Sequence, residues 1–88
     1  MQLSVELSLY PLQENYKPIV LAFLEDLAAT AENVEIRTSN MSTRLFGEYA
    51  AVTDLLNQTM LRSMQKFGKV VFVAKYIQGD ARELKNYD

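Results

Sequence analysis

The side chains best suited to chemistry are gathered in one stretch, Thr38-Ser39-Asn40-Met41-Ser42-Thr43-Arg44-Leu45-Phe46-Gly47-Glu48. From Thr38 to Thr43 every residue but Met41 is a neutral hydroxyl or amide, able both to donate and to accept hydrogen bonds. Two readings of such a cluster stand side by side. Ser, Thr and Asn at this density bond neighbouring backbone groups and make a hairpin turn that runs into a helix cap. The same groups, held at the mouth of a small sheet, would suit an uncharged polar ligand.

Other chemistry is excluded by composition. With no cysteine there is neither a disulfide frame nor a thiolate, and with no histidine there is no imidazole base and no zinc or copper site of the usual kind. Ser-His-Asp and Cys-His arrangements are therefore ruled out. Glu14, Glu25, Asp26, Glu32, Glu35 and Glu48 fall on expected solvent faces or helix ends and form no paired-carboxylate site. Gly47, Gly68 and Gly79 make no phosphate-cradling loop. The nine Lys and Arg are scattered within a net charge of −2, which gives no basic face for nucleic acid. No apolar run approaches the roughly 20 residues of a membrane span, and the first residues lack a basic segment followed by a long apolar one. The expectation is a cytoplasmic, non-enzymatic protein that needs no cofactor, binds no nucleic acid and does not insert into a membrane.

Positioning the polar stretch requires a scaffold, and at 88 residues the chain has room for one domain. In Gln2–Tyr10, Leu3, Val5, Leu7 and Leu9 alternate with Ser4, Glu6, Ser8 and Tyr10, the period of a strand with one buried face. Pro11 ends it. Asn15 offers an N-cap and Pro18 a first turn for a helix to about Ala31, with Ile19, Phe23 and Leu27 in one apolar row. Its acidic residues come late, against the helix dipole. Val34–Thr38 alternates again, and Ser42–Phe46 is the returning arm of a hairpin. Gly47 is expected to supply a permissive backbone at the start of a second helix, with Glu48 at its positive end. Tyr49, Val52, Leu56, Met60, Met64 and Phe67 fall at helical spacing to about Lys66, the two methionines read as core filler. Gly68 ends the helix, Lys69–Ile77 is the last strand, and Gly79-Asp80 breaks it. The domain is placed at residues 1–80, with 81–88 a polar tail.

Strand, helix, strand, strand, helix, strand with right-handed crossovers gives an α+β fold. It is the ferredoxin-like plait, a four-stranded antiparallel sheet with both helices on one face. The first and third strands are then central. The helix-free face carries Ser4, Glu6, Ser8 and Tyr10, with Glu6 expected in a cross-strand ion pair with a Lys or Arg. Tyr10 and Tyr49 are expected to flank the polar stretch.

Leu7-Ser8-Leu9-Tyr10-Pro11-Leu12, then Ser42-Thr43-Arg44-Leu45-Phe46-Gly47-Glu48, then the valine-rich last strand resemble one repeat of the YkoF-type family. The resemblance runs in order over most of the chain, and a family of small thiamine-binding proteins looks similar in length and architecture. It implies a ferredoxin-like fold and binding, without catalysis, of thiamine or its hydroxymethylpyrimidine precursor, as a cytosolic carrier or sensor in uptake or salvage. It carries the site to Ser8 and Tyr10 in the first motif and to Ser42 and Thr43 in the second. Glu6, Asn40 and Glu48 are added as chemical neighbours. Proteins of this type hold two such repeats in a chain and this sequence holds one, which implies a homodimer or a higher even oligomer. The alternative is a plait-fold regulatory or oligomerisation module with no small ligand. An acylphosphatase-like activity would need an Arg and an Asn converging on a phosphate-binding loop, and none is legible.

Overall fold

The computed structural model describes residues 1–39 and 42–82. Six elements follow one another: β1 (Gln2–Pro11), α1 (Lys17–Thr30), β2 (Val34–Thr38), β3 (Thr43–Glu48), α2 (Tyr49–Phe67) and β4 (Val70–Gln78). They form the expected plait, one antiparallel sheet in the order β2-β3-β1-β4. The central strands are those the sequence designates.

The alternation in β1 sets the layers. Leu3, Val5 and Leu7 point to the helices and are almost fully buried, joined by Leu45 of β3 and by Phe23, Leu27, Val52, Leu55 and Leu56 of the helices. The α1 row Ile19, Phe23 and Leu27 is buried as its spacing demands, and the Phe23 ring packs on Phe72 of β4 with centroids 5.3 Å apart. Tyr16, not Asn15, occupies the N-cap of α1, and no side chain caps the helix. The late acidic residue has its explanation across the helix pair. Asp26 accepts hydrogen bonds from Nε and Nη2 of Arg62 at 2.9 and 3.1 Å, an interhelical fork that gives its carboxylate a partner on the second helix.

In α2 the buried stripe is Val52, Leu55, Leu56, Thr59 and Ser63. Met60 is only partly buried and Met64 is 46% exposed, so Met64 is not core filler. The hydrophobic spacing misses this because two small hydroxyl residues take the inward positions. Thr59 satisfies its hydroxyl by donating to the Leu55 carbonyl at 2.6 Å. Gly68 ends α2 at φ +82, as read. Gly47 belongs to β3, and its reason is space, not conformational freedom: a Cβ there would lie 2.8 Å from the Asn33 carbonyl oxygen.

The helix-free face is covered at one end. Gly79 donates to the Gln2 carbonyl at 2.8 Å, Ser4 Oγ donates to the Gly79 carbonyl at 2.8 Å, and Ala81 N–H donates to Ser4 Oγ at 2.8 Å. Arg82 then reaches Glu35 at 2.9 Å, and the Arg37 and Arg82 guanidinium groups lie 5.4 and 5.7 Å from the Phe46 ring centroid. Residues 79–82 thus form a strap that buries Ser4 and Phe46. Ala81 and Arg82 are bonded to the sheet and are not free tail; residues 83–88 lie outside the described ones. Among the described residues no helix is long and apolar enough to cross a membrane.

Candidate functional site

The opposite end of the sheet is open. There the last residues of β1, the end of β2, the start of β3 and the first half of α1 enclose a groove of about 460 Å³, within the range of small-molecule sites. Ser8, Thr38, Ser39, Ser42 and Thr43 contribute hydroxyls to its lining. Tyr10, Tyr16, Pro11, Val20 and Leu24 supply aromatic and apolar surface. No charged side chain lines it among the described residues.

The sheet register explains how residues from two distant motifs meet. Leu7 pairs with Thr43 and Thr38 pairs with Thr43, so the β1 and β2–β3 ends come level. Ser39 closes the hairpin, its N–H and its Oγ both reaching the Ser42 carbonyl, at 2.9 and 3.1 Å. Thr43 faces the helices and is 4% exposed. Ser42 lies toward the helix-free side and donates its hydroxyl to Glu6 Oε2 at 3.1 Å. Glu6 is in turn 3.7 Å from Lys75 Nζ, the expected cross-strand ion pair, and stands opposite Arg44 of β3 in the sheet register. The hydroxyls of the described residues thus belong both to the hairpin and to the groove lining.

Of the residues named from sequence, Ser8, Tyr10, Ser42 and Thr43 all line this groove. Glu6 stands behind Ser42 without entering the lining. Asn40 lies outside the described residues. Glu48 is not at the site. It sits at the other end of β3, paired with Gln2, accepting from the N-terminal ammonium of Met1 at 3.0 Å and from Gln2 Nε2 at 2.8 Å. The ammonium holds its carboxyl below the usual range. The adjacent Tyr49 donates its N–H to the Met1 carbonyl, so it does not flank the polar stretch. A six-residue strand carries its two ends to opposite edges of the sheet, which motif contiguity conceals.

The other perturbed carboxylates also lie away from the groove. Arg82 holds Asp80 down at about 2, and hydrogen bonds from Arg37 and then Arg82 lower Glu35. Sequence reasoning missed Tyr16, Val20 and Leu24 as wall residues. Val20 and Leu24 are four apart beside the buried row of α1, the one signal that this helix presents a second, half-covered face. Among the described residues no group of acidic side chains could hold a metal ion.

With this geometry fixed, the chain can be set against known proteins. The sequence profile of the YkoF-related family matches residues 2–76. This chain belongs to the YkoF-related family. No curated protein matches it. Among solved structures, a Streptococcus pneumoniae protein superposes with a TM-score of 0.75 at 20% identity, over 96% of this chain and 93% of its own. A candidate thiamine biosynthesis or salvage protein from Thermotoga maritima gives 0.77 at 12% identity, over 90% and 85%. A Methanocaldococcus jannascii protein gives 0.75 at 17%, over 97% and 88%. At these identities the likeness is one of fold.

Proposed function

We propose that this YkoF-related protein binds thiamine or its hydroxymethylpyrimidine precursor in the groove at the end of β1, and that it carries or senses the ligand without converting it. One observation carries the reading. The four residues that the two family-like motifs supply, Ser8, Tyr10, Ser42 and Thr43, come from strands far apart in sequence and line one groove. An aminopyrimidine presents ring nitrogens that accept and an amino group that donates, matching a lining of hydroxyls, and Tyr10 and Tyr16 offer faces for stacking. Each net hydrogen bond contributes about 0.5–1.5 kcal/mol, so three or four with stacking support micromolar binding. A non-catalytic role accords with a sequence that has no histidine or cysteine and with a groove that no carboxylate lines among the described residues. A cytoplasmic place in uptake or salvage goes with this reading.

The helix-free face favours a second, compatible property. Beyond the strap it exposes an apolar patch of Tyr10, Val71 and Val73 at one end, with Ile77 set apart from it by the Lys75–Glu6 pair, a surface that a second copy would cover. The chain is thus proposed to work as a homodimer or a higher even oligomer. Calorimetric titration with thiamine and with hydroxymethylpyrimidine, with the mass in solution recorded alongside, tests both properties. Saturable binding near one ligand per chain of an oligomer is expected. A folded oligomer that binds neither compound would leave the oligomerisation module as the better account, and a monomer that binds would remove the assembly.

A further inference from the structure

We infer that the groove takes its ligand in the unphosphorylated form, and that Glu6 sets this preference as a positioning residue by fixing Ser42 as a hydrogen-bond acceptor. The inference rests on the groove being the thiamine or hydroxymethylpyrimidine site.

The first observation is the lining itself. Among the described residues its polar side chains are hydroxyls of Ser, Thr and Tyr, with no Lys or Arg. A phosphate monoester is close to a dianion at neutral pH and only accepts hydrogen bonds. Moving it from water into such a groove exchanges strong hydration for a few neutral donors, which is unfavourable.

The second observation concerns the helix that forms one wall. The N-terminus of a helix is ordinarily an anion site, because first-turn N–H groups point outward. In α1 that capacity is nearly used up. Pro18 has no N–H, and the N–H groups of Ile19 and Val20 both donate to the Tyr16 carbonyl at 3.1 Å. At most the N–H of Lys17 is left, and the Lys17 side chain is exposed and outside the lining.

The third is the direction of one hydrogen bond. Ser42 gives its proton to Glu6, so it meets the groove with lone pairs. It can accept from an amino or alcohol donor and has no proton left for a phosphate oxygen. The Glu6 carboxylate behind it repels an anion directly. Lys75 and Arg44, the cations facing Glu6, lie on the helix-free face; Lys75 is largely exposed and neither enters the lining. They weaken that repulsion without providing a phosphate ligand.

Hydroxymethylpyrimidine and its phosphate monoester form a matched pair that isolates the effect. Titrated calorimetrically into the native protein, the alcohol is expected to bind at least about tenfold more tightly than the ester. Glu6→Gln, an isosteric change at a half-exposed position, is expected to narrow that ratio, chiefly by improving the ester. Equal affinities in the native protein would overturn the preference while leaving the binding site intact. Binding of neither compound would overturn the site and the preference with it. If Glu6→Gln weakens both compounds by one factor, the ratio is not set by Glu6 and that assignment falls.

Discussion

Ser42 and Thr43 are adjacent in sequence yet serve the groove from opposite sides of the sheet, Ser42 tied to Glu6 on the helix-free side and Thr43 buried against the helices. The two hydroxyls are therefore independent probes of one site. Thr43→Val keeps the shape of a buried residue and removes only a polar atom, and Ser42→Ala removes the acceptor that Glu6 orients. Each is expected to weaken binding of hydroxymethylpyrimidine by about three- to tenfold, the loss of one net hydrogen bond, with the thermal transition kept. Calorimetry on the two variants checks this. Native affinity in both would place the ligand elsewhere.

Gly47 gives a test of the scaffold. Its missing side chain lets β3 approach the turn before β2, where a Cβ would meet the Asn33 carbonyl oxygen at 2.8 Å and Val52 Cγ2 at 3.4 Å. One of those contacts is with backbone and has nowhere to retreat, since Asn33 already holds φ at 59°. Gly47→Ala is expected to cost about 1–3 kcal/mol of stability, the range for overpacking. Chemical denaturation measures it directly. Native stability would show that the turn yields freely.

The fold was legible because its signals are local and repeated. Alternation in β1 names the inward face residue by residue, and Gly68 marks a helix end wherever the chain goes next. The site was legible in half. Ser8, Tyr10, Ser42 and Thr43 sit within strand ends that the register brings level, whereas Glu48 and Tyr49 share a motif with Ser42 only in one dimension. Extended chain advances about 3.3 Å per residue, so the few residues from Thr43 to Glu48 separate a groove from the far edge of the sheet. The walls Tyr16, Val20 and Leu24 were hidden for a different reason: a helix with one buried row leaves open which neighbouring row meets the sheet's edge. The inward Thr59 and Ser63 were hidden because hydropathy marks hydroxyls as outward, although Thr59 can satisfy its own on the Leu55 carbonyl.

The fork between Asp26 and Arg62 is a charged link between the two helices. Both side chains keep partial exposure, at 29% and 42%, so the pair is screened and a modest coupling is expected. The Asp26 hydrogen bond raises the Arg62 guanidinium further above its usual value. A double-mutant cycle with Asp26→Asn and Arg62→Gln, read by denaturation at low and high salt, should show favourable coupling that fades as salt is added. Zero coupling at low salt would mean that apolar packing alone sets the helix pair.

The strap offers a pH dependence with a defined sign. Asp80 is held at about 2, below its ordinary 3.8, first by the side-chain hydrogen bond from Arg82 and then by the Arg82 backbone N–H. A carboxyl with a lowered folded value contributes stability that is present above the ordinary value and is lost as pH falls through the folded one. The native protein should therefore exceed Asp80→Asn in denaturant midpoint at about pH 6, and the gap should shrink below about 4 and close near 2. Glu35, lowered by Arg37 and Arg82, anchors the same guanidinium. Acid should then release Arg82 from the Phe46 ring and uncover Ser4, which hydrogen exchange at the Ala81 amide would report. A midpoint gap that stays constant from neutral pH to the acid limit would show that Asp80 holds the strap by shape and not by charge.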